Sequence, residues 1–144
     1  MKISTKGRYA LRMMLELAKN QGDKPVSIKE IAAKQDISEK YLEQIIAVLN
    51  KAGYVKSVRG PQGGYMLTKM PKDYTTGMIL RLTEGSLAPV ECLEYEENTC
   101  PRKDTCVTLK VWKKIDEAVK DVVDNITLDD LLQWSRDLSD HYSI

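Results

Sequence analysis

Apolar positions along this chain keep a helical period in some stretches and a strand period in others, and capping or turn residues mark each change. Tyr9/Ala10, Met13/Met14 and Leu17/Ala18 recur on one face after Ser4, which predicts a helix capped by Ser4 and running to about Asn20. Methionines at helical spacing among leucines read as packing rather than as a soft-metal box. Gln21 to Pro25 form a loop, and Ser27 followed by Glu30 has the capping-box spacing for a short helix to about Lys34. Gln35, Asp36 and Ile37 make a turn. Ser38 then caps a longer segment whose Leu42, Ile45, Ile46 and Leu49 fall at i, i+3, i+4 and i+7. Gly53 ends that helix as a left-handed cap, and Tyr54 to Arg59 read as a strand that turns at Gly60-Pro61-Gln62-Gly63-Gly64 and returns as Tyr65 to Thr68.

After a connection through Met70 to Tyr74, Thr75 or Thr76 caps a short helix with Met78, Ile79 and Leu82 that stops at Gly85. Ser86 to Val90 is an extended linker, and Glu91 to Cys106 has no hydrophobic period at all. From Val107 to Asp124 a stripe of Val111/Trp112, Ile115, Ala118/Val119 and Val122/Val123 predicts a long helix. Little of the chain remains for that helix to pack on, so a dimer partner is the natural cover for it. Thr127 followed by Asp130 caps a last, short helix with Leu128, Leu131, Leu132 and Trp134. The expected fold is mainly α: a winged helix-turn-helix with a small two-stranded wing, plus a long C-terminal dimerisation helix. The expected division is a reading domain over 1–85, a linker and cysteine loop over 86–106, and a dimerisation helix with a C-terminal helix over 107–144.

Burying the second helix's stripe against Ile28, Ile31 and Ala32 turns Ser38, Glu39, Lys40, Tyr41, Glu43 and Gln44 outward at its N-terminal end. That is the end a helix-turn-helix inserts into the major groove of duplex DNA. The hairpin tip Gly60, Gln62, Gly63 and Gly64 is almost free of side-chain bulk, so its backbone N–H groups can approach a phosphate, and Arg59 at its base can reach phosphate or the minor groove. Of the basic residues near the start, Lys2 and Lys6 suit phosphate contact better than Arg12.

Charge supports this reading. The net charge of +1 hides a division in which residues 1–72 carry +8 and residues 73–144 carry −7. A basic half containing the reading helices suits a polyanion, and an acidic half faces away from it. Neither a membrane-spanning run nor the apolar core of a signal peptide is present, so the expected compartment is the cytoplasm and no membrane partner is expected. A single His and the lack of any nucleophile–base constellation argue against an enzyme. The Gly63-Gly64 pair opens a strand, which is the wrong context for a nucleotide cradle.

Cys92, Cys100 and Cys106 lie in one polar loop with C-x7-C-x5-C spacing. Three thiols together in polar surroundings point to soft-metal ligation, and the wide spacing suits an iron-sulfur cluster better than zinc, with redox-active or inert thiols as the other reading. Four ligands are normally needed, so the loop is one short.

With these motifs on the page, the chain resembles the small bacterial winged-helix regulators that include the iron-sulfur-assembly regulator IscR, the nitric-oxide sensor NsrR and the cysteine-metabolism repressor CymR. The resemblance runs through KISTKGRYAL, ISEKYLEQI, VRGPQGGY, the three-cysteine loop and ITLDDL, and is greatest to the cluster-binding IscR type. It implies a homodimer on a partly palindromic double-stranded operator, with Ser38, Lys40, Tyr41, Glu43 and Gln44 at bases or phosphates and Arg59 with Gly60 to Gly64 at the wing. It further implies that Cys92, Cys100 and Cys106 hold an iron-sulfur cluster, with 2Fe–2S preferred over 4Fe–4S, that reports cluster supply, redox state or nitric oxide. The CymR type is similar at the N-terminus but lacks the triad. Leu109 stands where the IscR pattern has a His, and Lys6-Gly7-Arg8 where the NsrR type has an Asp. The fourth ligand is therefore open among Glu91, Glu94, Glu96, Glu97 and Asp104, with Glu43 or His141 farther off. The alternative is a cluster-free winged-helix regulator or protein-interaction module controlled by thiol oxidation, zinc or a partner protein.

Overall fold

The computed structural model describes residues 2–22 and 24–142. Among the described residues there are six α-helices and one hairpin, and every α-helix but the fifth starts at a side-chain cap. Helix α1 is Thr5–Lys19, with Ser4 Oγ accepting the Gly7 N–H at 3.1 Å. Helix α2 is Ile28–Gln35, capped by Ser27, and α3 is Glu39–Lys51, capped by Ser38. Between them Asp36 takes a left-handed conformation, φ 54°, and Ile37 turns into the core. An Asp tolerates that conformation better than most residues, which makes the tight turn between the two helices affordable to the backbone. Gly53, φ +79°, follows α3 and releases the chain into the wing.

The wing pairs β1, Val55–Val58, antiparallel with β2, Gly64–Leu67, in the register Val55↔Leu67 to Val58↔Gly64. Tyr65 also exchanges two backbone hydrogen bonds with Val26, at 2.8 and 3.0 Å, so the segment entering α2 lies along the wing's inner edge. Helix α4, Thr76–Glu84, is capped by the Thr75 hydroxyl at its N-terminus and by Gly85 at its end.

One core joins these elements. Ala10, Met13, Met14 and Leu17 of α1 meet Ile31 of α2, Leu42, Ile45 and Leu49 of α3, Val55 and Leu67 of the wing, and Ile79 of α4. Tyr74 is fully buried there. Its hydroxyl donates to the Tyr54 carbonyl at 2.8 Å and receives the Thr68 and Lys69 N–H groups at 3.1 and 3.0 Å, tying the base of the wing to the start of α4.

The C-terminal region departs from the expectation of a short last helix. Helix α6 spans Leu128–Tyr142, 15 residues, the same length as α5, Leu109–Val123. Leu128 and Leu132 anchor its first turns in the main core and the helix packs along α1, while Trp134 and Leu138 stay exposed farther along it. The turn into α6 is stitched to the start of α4: Thr76 Oγ donates to the Val123 carbonyl at 2.9 Å, and the Leu128 N–H donates to the Tyr74 carbonyl at 3.0 Å. Arg81 of α4 makes a bidentate pair with Asp124, at 2.5 and 3.1 Å, and its guanidinium holds the Asp124 carboxyl below the usual carboxylate range.

Helix α5 is the outlier, with Leu109 as its one buried residue. The predicted stripe is unevenly covered. Leu109 is buried and Trp112, Val119 and Val123 are half-buried, whereas Val111, Ile115, Ala118 and Val122 are exposed. No described helix is long and apolar enough to cross a membrane.

Candidate nucleic-acid interface

The first turn of α3 exists because Ser38 caps it, the hydroxyl accepting the Tyr41 N–H at 3.2 Å, while Leu42, Ile45, Ile46 and Leu49 bury the opposite face. The consequence is that Ser38, Lys40, Glu43 and Gln44 are exposed along one edge of the helix's N-terminal half. Tyr41 differs from them. It is half-buried against the core, and its ring meets the ring of Tyr9 from α1 edge to face, with centroids 5.6 Å apart and planes at 86°.

At the wing, Arg59, Gly60 and Gln62 are exposed and Gly63 and Gly64 are half-buried. Gly60, φ +119°, carries the turn, closed by the Gly63 N–H donating to the Gly60 carbonyl at 2.9 Å. Glycine at 63 and 64 answers to space: a Cβ at Gly63 would run into the Val58 carbonyl, and one at Gly64 into the Val26 carbonyl and the Ser27 nitrogen. That close approach sets the wing tip beside the start of α2. Lys24, Ser27 and Glu30 face Pro61, Gln62 and Gly63 across a cleft of about 650 Å³. The expected reading residues thus form two sets, one on α3 and one on the wing, with Tyr41, Gly63 and Gly64 half-buried among exposed neighbours.

A network that the sequence did not suggest lies behind them. Glu16, only 3% exposed, accepts Gln35 Nε2 at 2.6 Å and pairs with Lys19 at 3.3 Å. Arg12 donates Nε to Gln35 Oε1 and Nη2 to the Gln35 carbonyl, both at 2.7 Å, and its guanidinium lies 5.3 Å over the Tyr9 ring. The one available signal was a carboxylate at 16 within the inward stripe that includes Met13 and Leu17.

The cysteine loop corrects the strongest chemical expectation. Cys92, Cys100 and Cys106 are free and half-buried, and among the described residues no three Cys, His, Asp or Glu side chains converge as a metal site. An iron-sulfur cluster of either the 2Fe–2S or 4Fe–4S type, and with it the iron-sulfur, metal-binding and cluster-sensing reading, is therefore set aside. The physical reason is that the loop is organised by local turns. Cys92 lies in the single helical turn Glu91–Leu93; the Cys100 N–H is held by Asn98 Oδ1 at 2.9 Å and its carbonyl accepts from Lys103; the Cys106 carbonyl accepts from Leu109 as α5 begins. Each thiol belongs to a separate turn, and sequence proximity did not bring them to one point.

Cys106 has its own chemistry. The Thr108 hydroxyl lies 3.4 Å from its sulfur and, with the Leu109 backbone N–H next in weight, pulls the thiol below its ordinary value by stabilising the thiolate.

The family model of Rrf2, described as an iron-dependent transcriptional regulator, matches residues 3–133. The chain is 49% identical over 135 residues to the HTH-type transcriptional regulator CymR of Bacillus subtilis (strain 168), covering 94% of this chain and 92% of the relative. The solved structure of B. subtilis CymR, the global cysteine regulator, superposes with a TM-score of 0.78 at 47% identity over 93% of this chain and 98% of that one. A structure of T. potens IscR follows at 0.75 and 44% over 94% and 88%, and the oxidized form of Staphylococcus aureus CymR at 0.71 and 40% over 92% and 96%. The 49% and 47% identities to B. subtilis CymR exceed the 44% to T. potens IscR, so the comparisons do not single out the cluster-holding IscR type that the sequence resemblance favoured. With its capped helix pair, its wing and a match over nearly its whole length, the chain belongs to the Rrf2 family of winged-helix transcriptional regulators, which are not enzymes.

Proposed function

We propose that this chain is a homodimeric, cluster-free regulator that binds an operator in double-stranded DNA, reading bases with α3 and holding phosphates with the wing. The observation that carries this reading is the exposed edge of Ser38, Lys40, Glu43 and Gln44 on a helix whose opposite face is fully committed to the core. Gln is suited to pair with adenine and Glu to accept from cytosine N4, whereas Arg59 and the glycine tip suit phosphate, which carries no sequence information. Glu43→Ala and Gln44→Ala are therefore expected to change base preference by ~1–3 kcal/mol at single operator positions, and Arg59→Ala to weaken binding on all sequences alike. Selection from a randomised duplex pool followed by titration measures both. Equal losses on every sequence for the α3 variants would remove the base-reading assignment.

Dimerisation rests on α5. Its exposed Val111, Ile115, Ala118 and Val122 recur at spacings of four, three and four, close to the period of paired helices. Ile115, Ala118 and Val122 also line, with Ile3, Leu80 and Leu87, an apolar groove of about 460 Å³. A matching helix from a second copy covers both and sets two reading heads for half-sites roughly 34–36 Å apart.

Control through a thiol is the second reading, favoured by the acidified Cys106 and in keeping with an oxidized form being known for S. aureus CymR. Because the Thr108 hydroxyl favours the thiolate, Cys106 is expected to react with iodoacetamide at lower pH in the native chain than in Thr108→Val. Mass-spectrometric alkylation rates across a pH series check the sign. Superimposable profiles for Cys106 would show that the hydroxyl does not tune it.

A further inference from the structure

Helix α1 grips the turn between the two reading helices from behind. Arg12 caps the last carbonyl of α2 at Gln35, a favourable place for a cation at a helix C-terminus, and also holds the Gln35 side chain. Buried Glu16 takes the same side chain's amide, so Gln35 is fixed from two positions one helical turn apart on α1. Next to it the guanidinium covers one face of Tyr9, and the Tyr9 ring abuts Tyr41 in the first turn of α3. Asp36, left-handed at the α2 C-cap, sits between these two fixed points. A single side-chain relay therefore runs Glu16–Gln35–Arg12–Tyr9–Tyr41 and ends on the helix that carries Glu43 and Gln44.

We propose that Tyr9 and Arg12 are positioning residues for sequence discrimination: they hold the angle of α3 through Gln35 and Tyr41 and make no essential contact with DNA themselves. This rests on the DNA-reading function proposed above. It gives Arg12, an exposed cation in the basic half, a role other than phosphate binding, and the two roles differ in what they do to salt dependence and to discrimination. A lost phosphate contact weakens all duplexes and flattens the salt dependence by about one ion. A lost positioning contact leaves the charge pattern at the phosphates intact and misaims the base-reading edge.

The test uses the full-length chain and two duplexes, one selected from a randomised pool by the unaltered protein and one of scrambled sequence, titrated over a salt series. Arg12→Gln and Tyr9→Leu are expected to lose about tenfold in affinity for the selected duplex relative to the scrambled one, with an unchanged salt slope for the scrambled duplex. Tyr9→Phe, which keeps the ring, is expected to retain the discrimination. Arg12→Gln that weakens both duplexes equally and reduces the salt slope by about one overturns the proposal, as does unchanged discrimination or a Tyr9→Phe variant as impaired as Tyr9→Leu. Arg12→Gln changes an exposed side chain, so it carries the test even if Tyr9→Leu unfolds the protein. Failure of the unaltered protein to enrich any sequence would instead refute DNA reading itself.

Discussion

Ile115→Glu combined with Val122→Glu is expected to leave a folded monomer that has lost about 100-fold or more in operator affinity. Both side chains are exposed in the isolated protomer, 38% and 55%, so neither substitution disturbs the core, and the thermal midpoint of the separated protomer should reflect only the loss of its partner. In the proposed dimer the same positions face a second α5 across an apolar surface, where two unpaired carboxylates per protomer must be desolvated or drive the helices apart. The affinity loss follows because each half-site then binds independently, without the high effective concentration that linkage gives the second head. Sedimentation equilibrium beside operator titration decides it. A double variant that remains dimeric would move the interface elsewhere on the chain.

Gly64→Ala is expected to have the next largest effect, a destabilisation of about 2–3 kcal/mol together with loss of wing function. Its Cβ would meet the Val26 carbonyl and lie 2.7 Å from the Ser27 nitrogen, which are backbone atoms with no room to yield. The cheapest relief is to break the two hydrogen bonds between Val26 and Tyr65 and let the hairpin swing away from α2. Chemical denaturation measures the first effect. Gln62→Ala, at the exposed tip, should leave stability unchanged and separates contact from geometry. Gly64→Ala with native stability would mean that the wing is free to shift, and that the cleft beside α2 is not held by this approach.

Much of the reading half was legible because the physics that forms it is local. A cap acts across three residues, as Ser4, Ser27, Ser38 and Thr75 each do here, and a helix period needs only about two turns to declare its buried face. The turn of glycines between two short strands likewise predicted a hairpin, since Gly60 needs a conformation that other residues avoid. The exposure of Lys40, Glu43 and Gln44 then followed from burying Leu42, Ile45 and Ile46.

The misread parts share a different cause. Cys92, Cys100 and Cys106 were taken as one site because they are near in sequence, but a polar loop with no buried face follows its own i to i+3 turns, and those carry the thiols apart. The last helix was expected to be short, with a polar tail after Trp134, but it runs on to Tyr142 and docks through Leu128 and Leu132 into a core shared with α1, more than 100 residues earlier in the chain. Arg12 was read only as surface charge, since nothing within a few residues of it reveals Gln35 as its partner.

By itself, the sequence determined the capped helix pair, the wing, the basic and acidic halves, and the unpartnered apolar length of α5, all properties set by neighbours within a turn or two or by composition. Only the tertiary structure decided which face of α5 stays open, where α6 docks, that the three thiols do not converge, and that α1 holds the reading helix through Gln35 and Tyr41. Those outcomes depend on which surfaces distant in the chain meet. That meeting is set by competition among all the buried faces at once and is not written at any one position.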